Sequence, residues 1–150
     1  MKTILVAAGV MLSVASGAVL AQVKPEVLVK QRQAVMTLQG KYWGPIAGMA
    51  SGKVSPYNAD IVARNATYLE NLVQMAWDGF DASTKDVKSA ALPAIWESPE
   101  KFKEAADRLQ NEAVKLGALA RARDEAGVKA QFGAVGKACG GCHESFRAKQ

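Results

Sequence analysis

The sequence predicts an all-α protein, an antiparallel up-down-up-down four-helix bundle. Four stretches of the chain repeat apolar residues at the 3.6-residue period of an amphipathic helix. The breaks between these stretches are mostly short and carry proline or glycine. No stretch alternates apolar and polar residues between hairpin turns, as a β-strand does. Amphipathic helices with short connections bury their apolar faces by packing side by side in alternating directions.

The N-terminus has the organisation of a secretory signal peptide. Lys2 gives a basic start, residues 4–12 are apolar, and small residues lead to a cleavage site after Ala21. An uncleaved anchor helix is the alternative, but Ser13 and Ser16 interrupt the run before the ~20 apolar residues that a span needs. We therefore expect residues 1–21 to be removed. Residues 22–150 then form a single domain, with no membrane attachment after cleavage.

The charge of the chain is moderately positive and evenly spread. The chain has 19 basic and 14 acidic side chains, and removal of Lys2 leaves 18 against 14, a formal +4. No basic block and no basic stretch interleaved with aromatic residues is present, so the sequence does not support nucleic-acid binding. Long-range attraction of acidic partners stays open.

The first predicted helix begins at Pro25, which suits the first turn of a helix, and runs to about Met49. The residues with helical spacing in it are Leu28, Arg32, Val35, Met36 and Gln39. Gly44-Pro45 is predicted to kink this helix or shift its last turn, and a break at Gly44 is the rival interpretation.

The second predicted helix begins after Asn58, a good N-cap residue, and runs to about Trp77. Its apolar face comprises Ile61, Tyr68, Leu69, Leu72, Val73 and Ala76. The pattern dissolves over residues 78–97, which we predict to be a long loop. We expect Phe80, Ile95 and Trp96 to pack into the core from this loop.

The third and fourth predicted helices complete the bundle. Ser98 and Pro99 suit a capping hydroxyl and a first helical position, and this helix runs to about Ala120. Its buried face comprises Phe102, Ala106, Leu109, Ala113, Leu116 and Ala120. The fourth helix starts at Asp124. Its apolar face comprises Val128, Phe132, Val135, Cys139, Cys142 and Phe146.

Residues 139–143, Cys-Gly-Gly-Cys-His, match the C-x-x-C-H attachment site of a c-type haem. Each thiol adds to one haem vinyl group to form a thioether, and the adjacent imidazole takes an axial position on the iron. Positions i, i+3 and i+4 of a helix share one face, so Cys139, Cys142 and His143 reach one porphyrin together. We predict one haem c per chain, attached through two thioethers.

Two other uses of paired cysteines fit the chain less well. A redox-active C-x-x-C pair usually lies in a βαβ context, which this sequence lacks. A structural zinc ion needs four ligands, and the whole chain has two cysteines and one histidine. A zinc site would therefore need a carboxylate or a partner chain.

The sixth position of the iron is the open functional question. Because His143 is the only histidine, ligation by two histidines within one chain is excluded. Met36, which shares a helix face with Arg32, is the best candidate for a thioether ligand, and a flexible core residue is the alternative interpretation. Met49 near a helix end and Met75 beside the loop are weaker candidates.

Three polar side chains are further candidates for the site. Arg147 follows His143 by one helical turn, so it either places a cation beside the imidazole or complements the helix dipole. Arg32 and Gln33 suit the carboxylates of haem propionates, and an ordinary solvated face is the alternative.

Short motifs of one family run along nearly the whole mature chain. They are Lys24-Pro25-Glu26, Arg32-Gln33, residues 42–48, Ile95-Trp96, residues 136–139, Cys142-His143-Glu144 and Arg147. These motifs resemble the cytochromes c prime, which are class II c-type cytochromes of the bacterial periplasm. An attachment motif near the C-terminus is itself distinctive, since class I cytochromes carry theirs near the N-terminus.

The resemblance implies a periplasmic homodimer packed through the first two helices, with one haem per subunit. It implies five-coordinate, high-spin iron with His143 proximal and Met36 over the distal face. It also implies binding of nitric oxide and carbon monoxide, electron transfer to an unknown redox partner, or both. Arg32 and Gln33 match the family's haem-contacting pair.

Three other functions remain as alternatives. The low-spin branch of class II cytochromes uses a methionine at the position of Met36 as sixth ligand, which would make the protein a dedicated electron carrier. A peroxidase needs a distal acid–base group, and the chain has no second histidine to supply one. A structural protein without haem is the last alternative. We therefore expect an electron-transfer or gas-binding protein and not an enzyme.

Overall fold

The computed structural model describes residues 23–149, so the predicted signal peptide lies outside the described residues. The helices are α1 (Pro25–Ala50), α2 (Ala59–Leu72), the short α3 (Ala94–Glu97), α4 (Pro99–Arg121) and α5 (Glu125–Phe146). The four long helices form an antiparallel up-down-up-down bundle, which confirms the predicted fold class. Over residues 23–149 the only β-pairing is an isolated bridge between Ala91 and Arg147. None of the helices in this range has the length and apolar character needed to cross a membrane.

The first helix, α1, runs without interruption through Gly44 and Pro45, so the rival prediction of a break at Gly44 is wrong. A proline inside a helix costs about 3 kcal/mol because it removes one backbone hydrogen bond and crowds the preceding turn. Ile46, Met49 and Ala50 follow directly and are buried in the core. Their burial holds the last turn of α1 in place despite the proline.

The second helix, α2, ends at Leu72, so the predicted end near Trp77 is wrong by about one turn. Side-chain donors form hydrogen bonds with the backbone carbonyl groups at its end. Gln39 Nε2 donates to the Leu72 carbonyl at 3.1 Å, and Trp77 Nε1 donates to the Val73 carbonyl at 2.6 Å. Val73 and Ala76 are fully buried although they lie beyond the helix, and this burial explains why the apolar pattern continues past its end.

The apolar face predicted for α2 is also wrong at one position. Tyr68 is 45% exposed, and its ring lies 4.8 Å from the ring of Tyr42 on α1. The two tyrosines therefore lie on the outer surface of the α1–α2 pair, away from the core.

The connection from α2 to α4 is mainly a loop, as predicted, with two short 3₁₀ turns, Asp78–Phe80 and Ala82–Thr84, but the prediction is wrong at its end, where the four-residue helix α3 forms. Ile95 is buried, and Phe80 and Trp96 are half-buried. Trp96 Nε1 donates to the Phe80 carbonyl at 2.9 Å. The loop therefore supplies core residues at the end of the bundle where α1 and α4 begin.

Two of the four long helices, α2 and α5, have a side-chain cap at their start. Asn58 Oδ1 accepts from the Ile61 amide at 3.0 Å, as predicted, and Asp124 Oδ1 accepts from the Gly127 amide at 2.8 Å. The predicted cap by the Ser98 hydroxyl is wrong, and the Ser98 backbone carbonyl instead accepts from the Phe102 amide at 3.1 Å.

The bundle has two unlike halves. A continuous aliphatic core comprises Ile46, Met49, Ala50, Val62, Ala66, Leu69, Val73, Leu109, Ala113, Leu116, Ala120, Val128, Val135 and Ala138. We call this part, which comprises α2 with residues 43–50 of α1, 109–121 of α4 and 125–138 of α5, the closed half. The open half contains residues 25–42 of α1, the 74–98 connection, the start of α4 and residues 139–146 of α5. The closed half therefore fixes the helices from which the open half extends.

Candidate cofactor site

The attachment motif occupies the last two turns of α5, in the open half. Cys139 and Cys142 are free thiols and half-buried, and His143 is exposed. The three residues share one helix face because they are spaced i, i+3 and i+4. This arrangement suits two covalent links and one axial ligand on a single flat cofactor.

The antiparallel helices α1 and α5 bring Met36 and His143 into the same part of the bundle. A Cβ atom on Gly136 of α5 would lie 3.7 Å from Cζ2 of Trp43 on α1, so the two helices approach each other there. Met36 on α1 and His143 on α5 each lie seven residues, about 10 Å at ~1.5 Å per residue, from these two positions and towards the same end of the bundle.

In this part of the bundle, both helices have inward-facing residues that are less buried than their neighbours. On α1, Arg32 and Gln39 are buried one turn to either side of Met36, and Met36 itself is only half-buried. On α5, Ala138 and Phe146 are buried, and the two cysteines between them are half-buried. We call this shared interruption of burial the α1–α5 gap. A flat apolar group attached at the cysteines fits it, because inward-facing side chains there are left uncovered by protein.

The titratable groups of the motif are electrically neutral near pH 7. Burial raises the pKa of the Cys139 thiol, and burial together with the neighbouring Cys139 raises the pKa of Cys142. Burial, followed by the charge of Arg147, lowers the pKa of His143. A neutral imidazole is the form that binds a metal ion. Within residues 23–149 no cluster of three or more histidine, cysteine or acidic side chains is arranged to hold a metal ion directly.

Arg147 is the C-cap residue of α5, which ends at Phe146, and it closes the last helical turn after His143, as the spacing predicted. Its backbone is extended, its amide donates to the His143 carbonyl at 3.2 Å, and it forms the bridge with Ala91. The loop therefore holds Arg147 beside the motif. Its lowering effect on the His143 pKa favours the predicted role of a cation near the imidazole.

Arg32 is buried, with 3% of its surface exposed, so the predicted alternative of a solvated face is wrong. Its Nη1 donates to the Gly79 carbonyl at 2.6 Å and to Thr84 Oγ1 at 2.9 Å, and its Nη2 donates to Ser89 Oγ at 3.1 Å. The guanidinium carbon lies 4.4 Å from the centre of the Phe80 ring. Three neutral acceptors and an aromatic face thus surround the charge, and burial lowers the pKa of Arg32.

The other predicted site residues are placed differently. Gln33 is exposed on α1, beside the buried Arg32. Met49 is buried in the closed half, and Met75 is 57% exposed. Of the three methionines in residues 23–149, Met36 alone borders the α1–α5 gap.

Sequence reasoning missed the three residues that hold Arg32. Gly79, Thr84 and Ser89 lie 47 to 57 positions further along the chain. They belong to a segment without helical periodicity, where polar residues and a glycine are ordinary for a loop. The one available signal was Arg32 itself, a cation within the apolar stripe of the first predicted helix.

Known proteins resemble this chain in sequence and in fold. Residues 27–147 match the family model described as cytochrome C'. The cytochrome c' of Rubrivivax gelatinosus is 35% identical over 127 residues, covering 84% of this chain and 98% of that protein. A cytochrome c-556 of Agrobacterium tumefaciens is 34% identical over 122 residues, covering 81% of this chain and 98% of that protein.

Solved structures agree over the same length. The crystal structure of the Rubrivivax gelatinosus cytochrome c' matches with a TM-score of 0.79 and 34% identity, covering 83% of this chain and 97% of that one. The nitric oxide complex of a leucine-to-alanine mutant of cytochrome c prime from Alcaligenes xylosoxidans matches with a TM-score of 0.78 and 35% identity. That match covers 85% of this chain and 98% of the other.

Proposed function

Because the chain belongs to the cytochrome c' family, with covalently attached haem c as its cofactor, we propose that Cys139 and Cys142 form the two thioethers and that His143 is the proximal ligand. The observation that carries this proposal is the α1–α5 gap, which opens at the cysteines and is bordered by Met36. Bound haem supplies an iron that exchanges one electron and takes up a diatomic gas at an open axial position.

The protein side of the gap suits small neutral ligands. Met36 carries no hydrogen-bond donor, so it offers nothing to hold water or an anion over the distal face. Three donors of Arg32, the buried cation one turn from Met36 on α1, are engaged by the loop. We therefore expect five-coordinate, high-spin iron that binds nitric oxide and carbon monoxide, transfers electrons, or does both. The nitric oxide complex of the related Alcaligenes xylosoxidans protein supports this expectation.

Arg32 and Gln33 belong to the haem contact in this proposal. Arg32 is a buried cation with no carboxylate within 4.0 Å among residues 23–149. A buried charge needs a counter-ion or strong hydrogen bonds, and a haem propionate supplies the missing anion. Gln33, exposed beside it, has an amide that suits the same group.

The second candidate is a low-spin electron carrier with Met36 as sixth ligand. The position of Met36 beside the α1–α5 gap favours it, because the thioether of this methionine would then be available as a second protein ligand to the iron. The other site assignments are the same in both candidates. The functions therefore differ only in the coordination of the iron.

Visible spectra of the haem-loaded protein distinguish the candidates. We expect a high-spin charge-transfer band in the ferric protein, no sulfur-ligation band, and spectral shifts when carbon monoxide or nitric oxide is added to the ferrous form. Met36→Ala keeps the high-spin spectrum and binds carbon monoxide severalfold faster. Met75→Ala, an exposed methionine, is the matched control and changes neither property. A low-spin spectrum that becomes high-spin only in Met36→Ala would establish the electron carrier instead.

A homodimer through α1 and α2 is part of the proposal. The outer groove between these helices is lined partly by Tyr42, Pro45, Ile61 and Tyr68. An exposed apolar surface of this kind marks an interface, and a second copy of the chain is the expected occupant. Tyr68→Glu should give monomers in sedimentation experiments, whereas Val114→Glu, at a 43% exposed position on α4, should leave the dimer intact. Equal masses for the two variants would contradict the assignment.

Periplasmic location follows from the predicted signal peptide. Sequencing the N-terminus of the exported, haem-loaded protein should give Gln22 as the first residue. A mature protein that retains residues 1–21 would contradict cleavage. The formal charge of +4 after cleavage favours an acidic redox partner.

A further inference from the structure

Arg32 is the one charged side chain among the buried residues of the part that the structure describes. A guanidinium carries five N–H donors in a rigid plane. Gly79, Thr84 and Ser89 engage three of them, two on Nη1 and one on Nη2. The Nε–H and the second Nη2–H are not used by these bonds. The plane is therefore fixed on one side by the loop and keeps donors for another acceptor.

Thr84 is positioned to accept a hydrogen bond from Arg32 and so to orient the guanidinium plane. It is fully buried, and its hydroxyl donates to the Asp81 carbonyl at 2.7 Å. Because that bond uses the only hydroxyl hydrogen, Oγ1 presents a lone pair to Arg32 Nη1. The 3₁₀ turn that contains Thr84 is held in turn by a cap, since Asp81 Oδ1 accepts from the Ser83 amide at 2.8 Å.

The fit between the loop and Arg32 is close. A Cβ atom on Gly79 would lie 2.7 Å from Arg32 Cβ and 3.2 Å from the Leu28 carbonyl oxygen, so a glycine is needed for the loop backbone to approach α1. Ser89 Oγ completes the set, and it also accepts from the Ala91 amide at 3.3 Å. Ala91 in turn pairs with Arg147 beside the motif. One loop thus contacts both Arg32 and the end of α5.

We propose that Thr84 is a positioning residue that holds the Arg32 guanidinium against a haem propionate, so that the loop sets the charge balance at the haem edge. This inference rests on the proposed haem site and adds a role for the loop. A guanidinium near the cofactor disfavours the more positive ferric iron. A guanidinium released from Thr84 moves away from the propionate, and the ferric form gains stability.

Reduction potentials of haem-loaded variants test the role. Arg32→Gln should shift the ferric–ferrous equilibrium about tenfold toward ferric, which corresponds to about 59 mV for a one-electron couple. Thr84→Val keeps the shape of the side chain without the hydroxyl and should give a smaller shift in the same direction. Thr84→Ser should restore the wild-type potential. Thr67→Val removes a half-buried hydroxyl bonded to the Ala63 carbonyl on α2 and is the matched control without a shift.

A double-mutant cycle separates positioning from general stabilisation. If Thr84 acts through Arg32, Thr84→Val adds nothing to the potential of Arg32→Gln. Ser89→Ala provides a second route, with a smaller shift in the same direction, if Thr84→Val folds poorly.

A lower unfolding temperature in Thr84→Val with an unchanged potential would overturn the inference and leave the proposed function standing. An additive shift in the double variant would overturn it as well. Wild-type protein without covalently bound haem would overturn the proposed function, and the inference with it, before any potential is measured.

Discussion

The closed and open halves of the bundle differ in how completely side chains fill their interiors. In the closed half, aliphatic side chains from all four long helices fill the interior, with Ile46, Val62 and Leu116 almost fully buried. In the open half, inward-facing positions such as Met36 and Cys142 stay half-exposed. The closed half therefore has a core made of protein side chains alone. In the open half, the cofactor is expected to cover the inward-facing side chains that the protein leaves half-exposed.

Aromatic residues close the far end of the open half. The Phe102 ring lies 4.9 Å from that of Phe80 and 5.3 Å from that of Phe146, both in edge-to-face geometry. Arg32 lies over Phe80 at the same end. The α1–α5 gap therefore lies between an aliphatic core and an aromatic cluster.

Of the changes considered, removal of the attachment thiols should have the largest effect, which is the loss of covalent haem. This effect should be confined to the open half. Cys139→Ala combined with Cys142→Ala abolishes covalent haem, because no other cysteine exists in the chain to form a thioether. Haem staining of a denaturing gel, with Met75→Ala as control, measures this loss. Covalent haem retained by the double variant would contradict the site assignment.

Truncation of matched side chains should separate the two halves by stability. Leu116→Ala empties a fully buried site and should lower the free energy of unfolding by about 3 kcal/mol. This cost should be similar with and without haem. Met36→Ala removes a half-exposed side chain beside the gap and should cost less than about 1 kcal/mol in the haem-free chain. Denaturant titrations measure both values, and equal costs for the two variants would contradict the division.

A smaller effect should appear in the chemistry of the thiols before haem is attached. A thiol reacts as the thiolate, and burial raises the pKa of both Cys139 and Cys142. At pH 8 the folded, haem-free chain should therefore react more slowly with iodoacetamide than the urea-unfolded chain does. The difference should shrink as the pH rises through the raised pKa values. Faster reaction of the folded chain would show that the open half activates its thiols.

Local sequence patterns predicted most of the fold and half of the site. Helical periodicity and the Asn58 cap are properties of a few neighbouring residues, so they could be read directly. The attachment motif is equally local. The end of α2 was missed because the buried residues Val73 and Ala76 prolong the apolar pattern beyond Leu72, where Gln39 from α1 caps the helix.

The other half of the site depends on contacts between distant parts of the chain. The approach of α1 to α5, seen where Trp43 lies near Gly136, brings Met36 into the same part of the bundle as His143, and no local pattern reveals it. The burial of Arg32 depends on loop acceptors such as Thr84, 52 positions away. Sequence reasoning could therefore name Arg32 as a candidate but could not assign its partners.

Backbone amide hydrogen exchange, measured on the haem-loaded and the haem-free protein, tests the division into halves most directly. We expect amides of the closed half, in α2 and in residues 43–50, 109–121 and 125–138, to stay protected in both forms. Amides in residues 25–42, 78–92 and 139–146 should lose protection when haem is absent. Protection lost evenly over the whole bundle, or retained in the open half without haem, would contradict the account.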